Sequence, residues 1–510
     1  MHKTSSPDRK LNTRGERGQV LILVALAFIG LLAIIGLAVD AGTLFIGMGQ
    51  LRRGVDSAAL AAAAQFREGR NINDLTASAQ EFFQLNQGGP SVTAVTVETC
   101  ETTPGLCPVS KKKYVRVSAQ AEVQFSFLPV IGISKITISS SAVAEAASLD
   151  VVLAIDTSDS MAYETPWQNG TCKYDQYGDP RSYDDLNQCI AECNQANNCQ
   201  PFRDVKDAAK SFIDRLNTPY DRVSVVTFSQ QTNLVLKLQS DKTVAKNTIH
   251  NLDVSNALTP GVGTCTWTTL GDDPSGCTNT SIGGGLMAAA SAFTDPAGGI
   301  NAVHEESLWV AILLTDGAAN ASIPNPADPS IVNIYCPPTT WNDLPNTPFC
   351  RDASATTRHS LLHGSKQNPD NVYDPGQYDA DDFARDMADL VGCSADSADA
   401  APWCHDSLSY GTNQGGQGAL IFTIGLGEDN MIHNPYGDPQ AGEKLLRYIA
   451  NVGDDGDPNP DPDPGTVAPD PCLNASAGRS CGNYYFSPTS SELRGIFEDI
   501  ASRIFTRLTQ

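Results

Sequence analysis

The chain reads as an α/β protein: an N-terminal transmembrane helix, a small β-rich module, then a doubly wound, mostly parallel sheet with disulfide-stapled insertions. Three observations carry this reading. A charge-free apolar run, VLILVALAFIGLLAIIGLAV, occupies Val20–Val39. Residues 91–144 alternate β-branched and polar positions, the period of half-buried strands. From Leu149 onward, short continuous apolar runs alternate with helical patterns, as parallel strands buried on both faces do when crossover helices join them.

A chain of 510 residues exceeds what one ordinary core serves, so more than one domain is expected. A hydrophobic content of 41% is that of a folded protein. The formal net charge of -24 argues against a nucleic-acid binder, which needs a basic face to neutralise phosphates. It suits an extracytoplasmic protein that meets cations or basic partners.

Taken in order, residues 1–17 form a cytoplasmic stub and 18–40 a transmembrane helix. Val20–Val39 is just long enough, as a helix, to cross a hydrocarbon core of about 30 Å. Lys3, Arg9, Lys10, Arg14 and Arg17 precede it, and no Lys or Arg follows until Arg52. The positive-inside rule therefore places the N-terminus in the cytoplasm and everything after Asp40 outside, in the periplasm or at the cell surface. A retained anchor is expected rather than a cleaved signal peptide, whose apolar region is shorter and ends at a small-residue site. Residues 41–90 read as an Ala-rich helical stalk, helical to about Phe66, with a small-residue face suited to close packing on a partner helix. Residues 91–148 read as a β-rich module without a catalytic constellation.

The remaining 149–510 hold four runs expected as parallel strands: Val151–Ile155, Val223–Phe228, Leu308–Leu314 and Ala419–Gly427. Between and after them lie amphipathic helices. Val205, Ala209, Phe212 and Leu216 share one face, as do Leu493, Ile496, Phe497, Ile500 and Ile504. Thr489 and Glu492 have the spacing of a capping box for the last helix.

Such sheets bind ligands beyond the carboxyl ends of their strands. Asp156 lies at one such end and Asp316, in LLTDG, at another. Asp156, Ser158 and Ser160 form D-x-S-x-S, and Thr280 opens TSIGGGL. Hydroxyls and carboxylates are the oxygen ligands that a hard divalent cation takes, so these five residues are the candidate metal ligands. The plainer reading, in which they only tie loops together, leaves five ligand-type residues in sequence order unexplained. No Walker loop, G-x-S-x-G or S-x-x-K motif is present, so no nucleophile or phosphate cradle is expected.

DTSDS, TSIGGGL and LTDG, in that order on alternating strands and helices, resemble the von Willebrand factor A (VWA) domain, and IFTIGLG and YYFSPTSSELRGIFEDIASRI resemble its last strand and helix. The resemblance implies a Rossmann-like sheet and a metal-ion-dependent adhesion site (MIDAS). There Ser158, Ser160 and Thr280 touch Mg²⁺ (or Mn²⁺ or Ca²⁺) directly, Asp156 and Asp316 hold it largely through waters, and a partner's acidic side chain fills an open position. Asp159 stands where that family often has Gly, adding a charge that favours Ca²⁺ or weakens an acidic ligand. GERGQVLILVALAFIGLLAIIGLAVDAGTLF, LRRGVDSAALAAAA and FSFLPVIGISKITISSSAVAEA are similar to TadG-like proteins of bacterial tight-adherence (Flp) pilus systems.

The 14 cysteines are even in number and lie outside the span, so disulfides are expected. A zinc reading would call for C-x-x-C units, and there are none. Cys100 and Cys107, Cys265 and Cys277, Cys336 and Cys350, Cys393 and Cys404, and Cys472 and Cys481 are near neighbours. Cys172, Cys189, Cys193 and Cys199 form a cluster with three possible pairings. Three insertions, Ala162–Pro201, Pro260–Cys277 and Ala318–Tyr378, leave the candidate metal loops and are expected to build a rim over that face. His359 and His363 read as an exposed helical pair, and Gly453–Gly465 as an acidic linker.

The expected function is that of a membrane-anchored envelope protein, not an enzyme. It binds a protein partner through the metal site, in Tad/Flp pilus assembly or surface adhesion. The alternative is a structural anchor or assembly scaffold whose metal site only stabilises or is vestigial.

Overall fold

The chain divides into two units, Met1–Ala146 and Ala147–Gln510. The structure is a computed structural model and describes residues 17–67, 71–87, 91–106, 113–146, 148–218, 220–229, 232–256, 279–294, 307–320, 358–360, 371–373, 380–393, 416–427, 440–455, 472 and 475–507.

In the first unit, helix α1 spans Arg17–Arg67 without a break. Its first half is apolar and long enough to cross a membrane. Side chains there point outward on every side, with Leu21 75% and Ile34 68% exposed. The second half is amphipathic instead. Leu51, Val55, Ala58, Ala62 and Phe66 recur at three- and four-residue steps and are buried. Helix α2, Ile72–Gln87, packs against α1 and buries Leu75, Ala79 and Phe83. The small-residue face read from the sequence thus finds its partner helix within the same chain. Asn71 starts α2 by accepting the backbone N–H groups of Asn73 and Asp74.

Strands β1 (Ser91–Thr99), β2 (Lys113–Gln124) and β3 (Lys135–Ala146) form an antiparallel sheet in that order. Along β2 the residues from Lys113 to Val123 alternate buried and open, and β2 and β3 lie against α1. The β-rich segment and α1 therefore pack together within this unit.

The second unit is built on a six-stranded sheet. Its strands are β4 (Leu149–Asp156), β7 (Arg222–Phe228), β8 (Thr232–Gln239), β9 (Leu308–Thr315), β12 (Leu420–Leu426) and β13 (Tyr484–Ser487). The order is β13-β12-β9-β4-β7-β8, parallel except for β8, which pairs antiparallel with β7 at the edge. Two small antiparallel strands, β5 (Pro166–Trp167) and β6 (Gly170–Thr171), lie in the first insertion, and β10 (Arg358–Ser360) pairs in parallel with β11 (Asn371–Tyr373). All eight β4 residues are buried, as a central strand covered on both faces requires.

Helices cover each face. Leu149, Val151, Leu153 and Ile155 point to one core, shared with α4 (Phe202–Arg215), α5 (Lys242–His250) and α9 (Leu493–Arg507). Val152 and Ala154 point to the other, shared with α6 (Ile282–Thr294), α7 (Ala380–Gly392) and α8 (Ala441–Asp455). Phe212 of α4 meets Phe497 of α9 with ring centroids 5.8 Å apart. The glycine run of α6 serves packing. A Cβ on Gly283 would strike the Phe383 ring, and one on Gly285 the Phe228 ring.

The four apolar runs are the central strands β4, β7, β9 and β12. Three local readings differ. Thr489 makes no side-chain cap, because a single 3₁₀ turn, Ser490–Glu492, precedes α9 and the Thr489 hydroxyl meets Ser491 Oγ at 2.8 Å. His359 sits in β10, where strand pairing with β11 overrides the helical spacing, and His363 lies outside the described residues. Gly453–Asp455 closes α8, and the rest of the acidic run lies outside the described residues.

The first insertion is folded. It carries α3, Tyr183–Ala196, capped by the Ser182 hydroxyl on the Asp185 N–H. Disulfides Cys172–Cys189 and Cys193–Cys199 settle the pairing that sequence left open. Cys472–Cys481 is formed as expected. Cys100 and Cys393 are disulfide-bonded too. Cys107, Cys265, Cys277, Cys336, Cys350 and Cys404 lie outside the described residues, as do Pro260–Cys277 and most of Ala318–Tyr378.

Candidate metal centre

Because β4, β7, β9 and β12 run parallel, their carboxyl ends share one edge of the sheet. Asp156 is the last residue of β4, and its carboxylate is held from two sides. Oδ1 accepts the Ser158 N–H at 2.8 Å, and Oδ2 accepts the Thr315 hydroxyl at 2.5 Å. This loop turn sets Ser158 and Ser160 side by side, with hydroxyl oxygens 3.0 Å apart. Ser160 Oγ then donates to Asp316 Oδ1 at 2.6 Å, linking the loops after β4 and β9.

Thr280 comes from the approach to α6 and is held through its backbone. Its N–H donates to Asn320 Oδ1 at 2.5 Å, and its carbonyl accepts the Asn320 N–H at 3.0 Å. Its hydroxyl borders Gly317, 3.5 Å from where a Cβ would stand. The structure therefore gathers Asp156, Ser158, Ser160, Thr280 and Asp316 at one end of the sheet.

The electrostatics are lopsided. Asp156 is fully buried and Asp316 nearly so, at 7% exposure. Among the described residues, no Lys or Arg forms an ion pair with either. Burial pushes the Asp156 carboxyl up to about 6, with hydrogen bonds from Thr315 and Ser158 opposing the rise. Burial pushes Asp316 well above the usual carboxylate range, and the neighbouring Asp156 charge raises it further. Asp159 stands beside them and accepts the Tyr163 hydroxyl at 3.1 Å. Burial and the Asp159 charge raise that phenol in turn. Two buried carboxylates, a third nearby and three hydroxyls make an all-oxygen donor set with excess negative charge. That chemistry fits a hard divalent cation.

Sequence reasoning missed three supporting residues. Thr315 braces Asp156, Asn320 clamps Thr280, and Tyr163 engages Asp159. Each sits within four residues of a candidate ligand or its neighbour, but only the fold shows what each hydroxyl or amide faces.

Residues 18–65 match the family model described as putative Flp pilus-assembly TadE/G-like. The match bears out the TadG-like resemblance over those residues, and the second unit has the doubly wound, mostly parallel sheet read from the sequence. No curated protein matches the chain. Solved structures that resemble it include the vWF domain of the type V pili tip protein Mfa5 from Porphyromonas gingivalis, at 15% identity and TM-score 0.34, covering 71% of this chain and 97% of that one. Another is the PilB minor pilin from Streptococcus sanguinis, at 12% identity and TM-score 0.30, covering 82% of this chain and 79% of that one. A third is proximal thread matrix protein 1 from the mussel byssus with a zinc-occupied MIDAS motif, at 15% identity and TM-score 0.29, covering 70% of this chain and 46% of that one. The chain thus spans about half the length of the mussel protein.

Proposed function

We propose that this chain is a single-pass envelope protein that captures a protein partner through a divalent cation held by Asp156, Ser158, Ser160, Thr280 and Asp316, in Tad/Flp pilus assembly or adhesion. The observation that carries this reading is the pair of buried carboxylates, Asp156 and Asp316, which no cationic side chain among the described residues balances. A bound cation supplies that balance and offers an acidic side chain of a partner a coordination position. The apolar half of α1 and the TadE/G-like match at residues 18–65 support anchoring in a pilus-bearing envelope. In this reading the N-terminus faces the cytoplasm, the metal is Mg²⁺, and the stapled insertion Ala162–Pro201 forms part of a rim that selects partners.

One observation favours the alternative of a scaffold whose metal site is vestigial. The Ser158, Ser160 and Asp316 side chains already satisfy one another, so the loops close without an ion. Whether the site binds metal, as capture requires, or is vestigial is decided by a thermal-melt titration of the full chain with Mg²⁺, Mn²⁺ and Ca²⁺, beside Thr280→Ala. The bonds that hold Thr280 run through its backbone, so the variant removes a hydroxyl and leaves the loop tied. Capture predicts a melting point that rises with metal by about 2.7 kcal/mol of stability at a hundredfold excess over Kd, and a loss of that rise in Thr280→Ala. No rise in the wild type at millimolar metal gives the scaffold reading the lead.

A further inference from the structure

At the end of the apolar stretch of α1, two residues are buried although the large side chains from Leu31 to Val39 are all exposed. They are Gly36 and Asp40, one helical turn apart. Both lie beneath the turn that joins β2 to β3. Phe127 sits on Gly36 so closely that a Cβ there would come within 2.9 Å of its side chain. Asp40 accepts the backbone N–H groups of Ser126 at 2.7 Å, Phe127 at 3.0 Å and Leu128 at 2.7 Å. The hairpin tip is thereby fastened to the last turn of the apolar span.

The outer side of this tip is unlike an ordinary loop. No charged residue occurs from Val123 to Ser134. Val130 is 88% and Ile131 71% exposed, with Phe127 and Ile133 about half exposed beside them. Most of its backbone amides are also satisfied within the chain. Besides the three amides on Asp40, those of Val130, Gly132 and Ile133 donate to carbonyls of the tip itself, and Pro129 has none. Gly132 completes the turn in the left-handed region, at φ 92°. A segment with apolar side chains and mostly satisfied amides presents little backbone polarity to hydrocarbon. At its base the chain turns polar again, where Lys135 pairs with Glu122 at 2.8 Å.

We infer that the β2–β3 tip, Phe127 to Ile133, dips into the leaflet from which α1 emerges, as a second membrane contact beside the span. The inference rests on the reading of α1 as a membrane anchor. What selects lipid as the occupant is continuity: the tip docks on Gly36, inside the apolar run, so its exposed side chains extend the surface that the span presents to acyl chains. Asp40 then provides the acceptor that the tip amides need at that depth, and those amides compensate a carboxylate at the edge of the hydrocarbon.

The test uses the full chain in phosphatidylcholine vesicles, with or without bromine on the acyl chains, and three variants at exposed positions: Val130→Trp, Ile34→Trp and Tyr177→Trp. The emission each adds over the native tryptophans is compared. Val130→Trp and Ile34→Trp are expected to lose emission to a comparable extent in brominated vesicles, while Tyr177→Trp keeps its own. Quenching of Ile34→Trp without quenching of Val130→Trp overturns the inference and leaves the anchor standing. In that case a blue-shifted Val130→Trp emission would mean that a second copy of the chain covers the tip. Quenching of neither refutes the anchor and the inference together.

Discussion

Ser160 and Asp316 lie 156 residues apart, yet the Ser160 hydroxyl donates to the Asp316 carboxylate at 2.6 Å. That bond ties the loop after the central strand β4 to the loop after its neighbour β9. It also holds a buried carboxylate close to Asp156 and Asp159, where like charges resist ionisation.

This arrangement predicts an inverse pH response with and without metal. A carboxyl raised by folding binds its proton more tightly in the folded chain. Its stabilisation is complete below the unfolded value of 3.8 and is lost as pH rises through the folded value, about 6 for Asp156. Thermal melts of the metal-free protein across that window should therefore show a loss that shrinks in Asp316→Asn. Mg²⁺ affinity should fall on acidification through the same window, because the ligands must be deprotonated. An affinity flat across it would contradict the assignment of these carboxylates as ligands.

The opposite edge of the sheet carries a buried ion pair that serves the fold. Arg222 Nε donates to Asp150 Oδ1 at 2.7 Å, with the two side chains 5% and 1% exposed. Asp150→Ala leaves the guanidinium without this partner and is expected to cost about 3–5 kcal/mol in denaturant unfolding. Metal affinity, measured where the variant is folded, should stay unchanged, since the pair lies at the amino ends of β4 and β7.

Asp40 predicts a local effect in the first unit. Asp40→Ala removes the acceptor shared by Ser126, Phe127 and Leu128. Bonds to a charged acceptor are worth about 1.5–3 kcal/mol each, so those three amides should exchange with solvent at least tenfold faster, read by hydrogen exchange. Amides in the middle of β2 should keep their protection.

The insertion after the first metal loop is best tested by opening its staples. Deleting Ala162–Pro201 would remove Ile190, Cys193 and Cys199 from the core under α4, so loss of partner binding in a deletion would be uninformative. Cys172→Ser with Cys189→Ser opens a bridge of sequence separation 17 and leaves Cys193–Cys199 in place. A cost of about 2–4 kcal/mol is expected, seen as earlier proteolysis within the insertion. If the rim selects partners, capture by the variant should change while its metal-dependent melting shift persists.

How far the sequence reaches differs from place to place. β4, β7, β9 and β12 were legible because a strand buried on both faces must be apolar throughout. β8 was not, since in an edge strand Leu234, Leu236 and Leu238 alternate with more exposed residues and no neighbouring pattern confirms the pairing, and β13 is only four residues long. That the five candidate ligands would meet at one end of the sheet was legible because each follows or precedes a strand or helix in a recognisable order. Thr315, Asn320 and Tyr163 were not, because a hydroxyl or amide acquires meaning only from what it faces.

By itself the sequence determined the apolar span, the strand-and-helix alternation of the second unit and the residues able to offer oxygen to a cation, all consequences of local composition and period. Tertiary structure decided which cysteines of the cluster of four join, that the second half of α1 has a partner in α2, and that Asp40 is buried under a hairpin more than eighty residues away. Those outcomes depend on distances between residues far apart in the chain. Burial and hydrogen bonding act through space, and only the folded chain sets those distances.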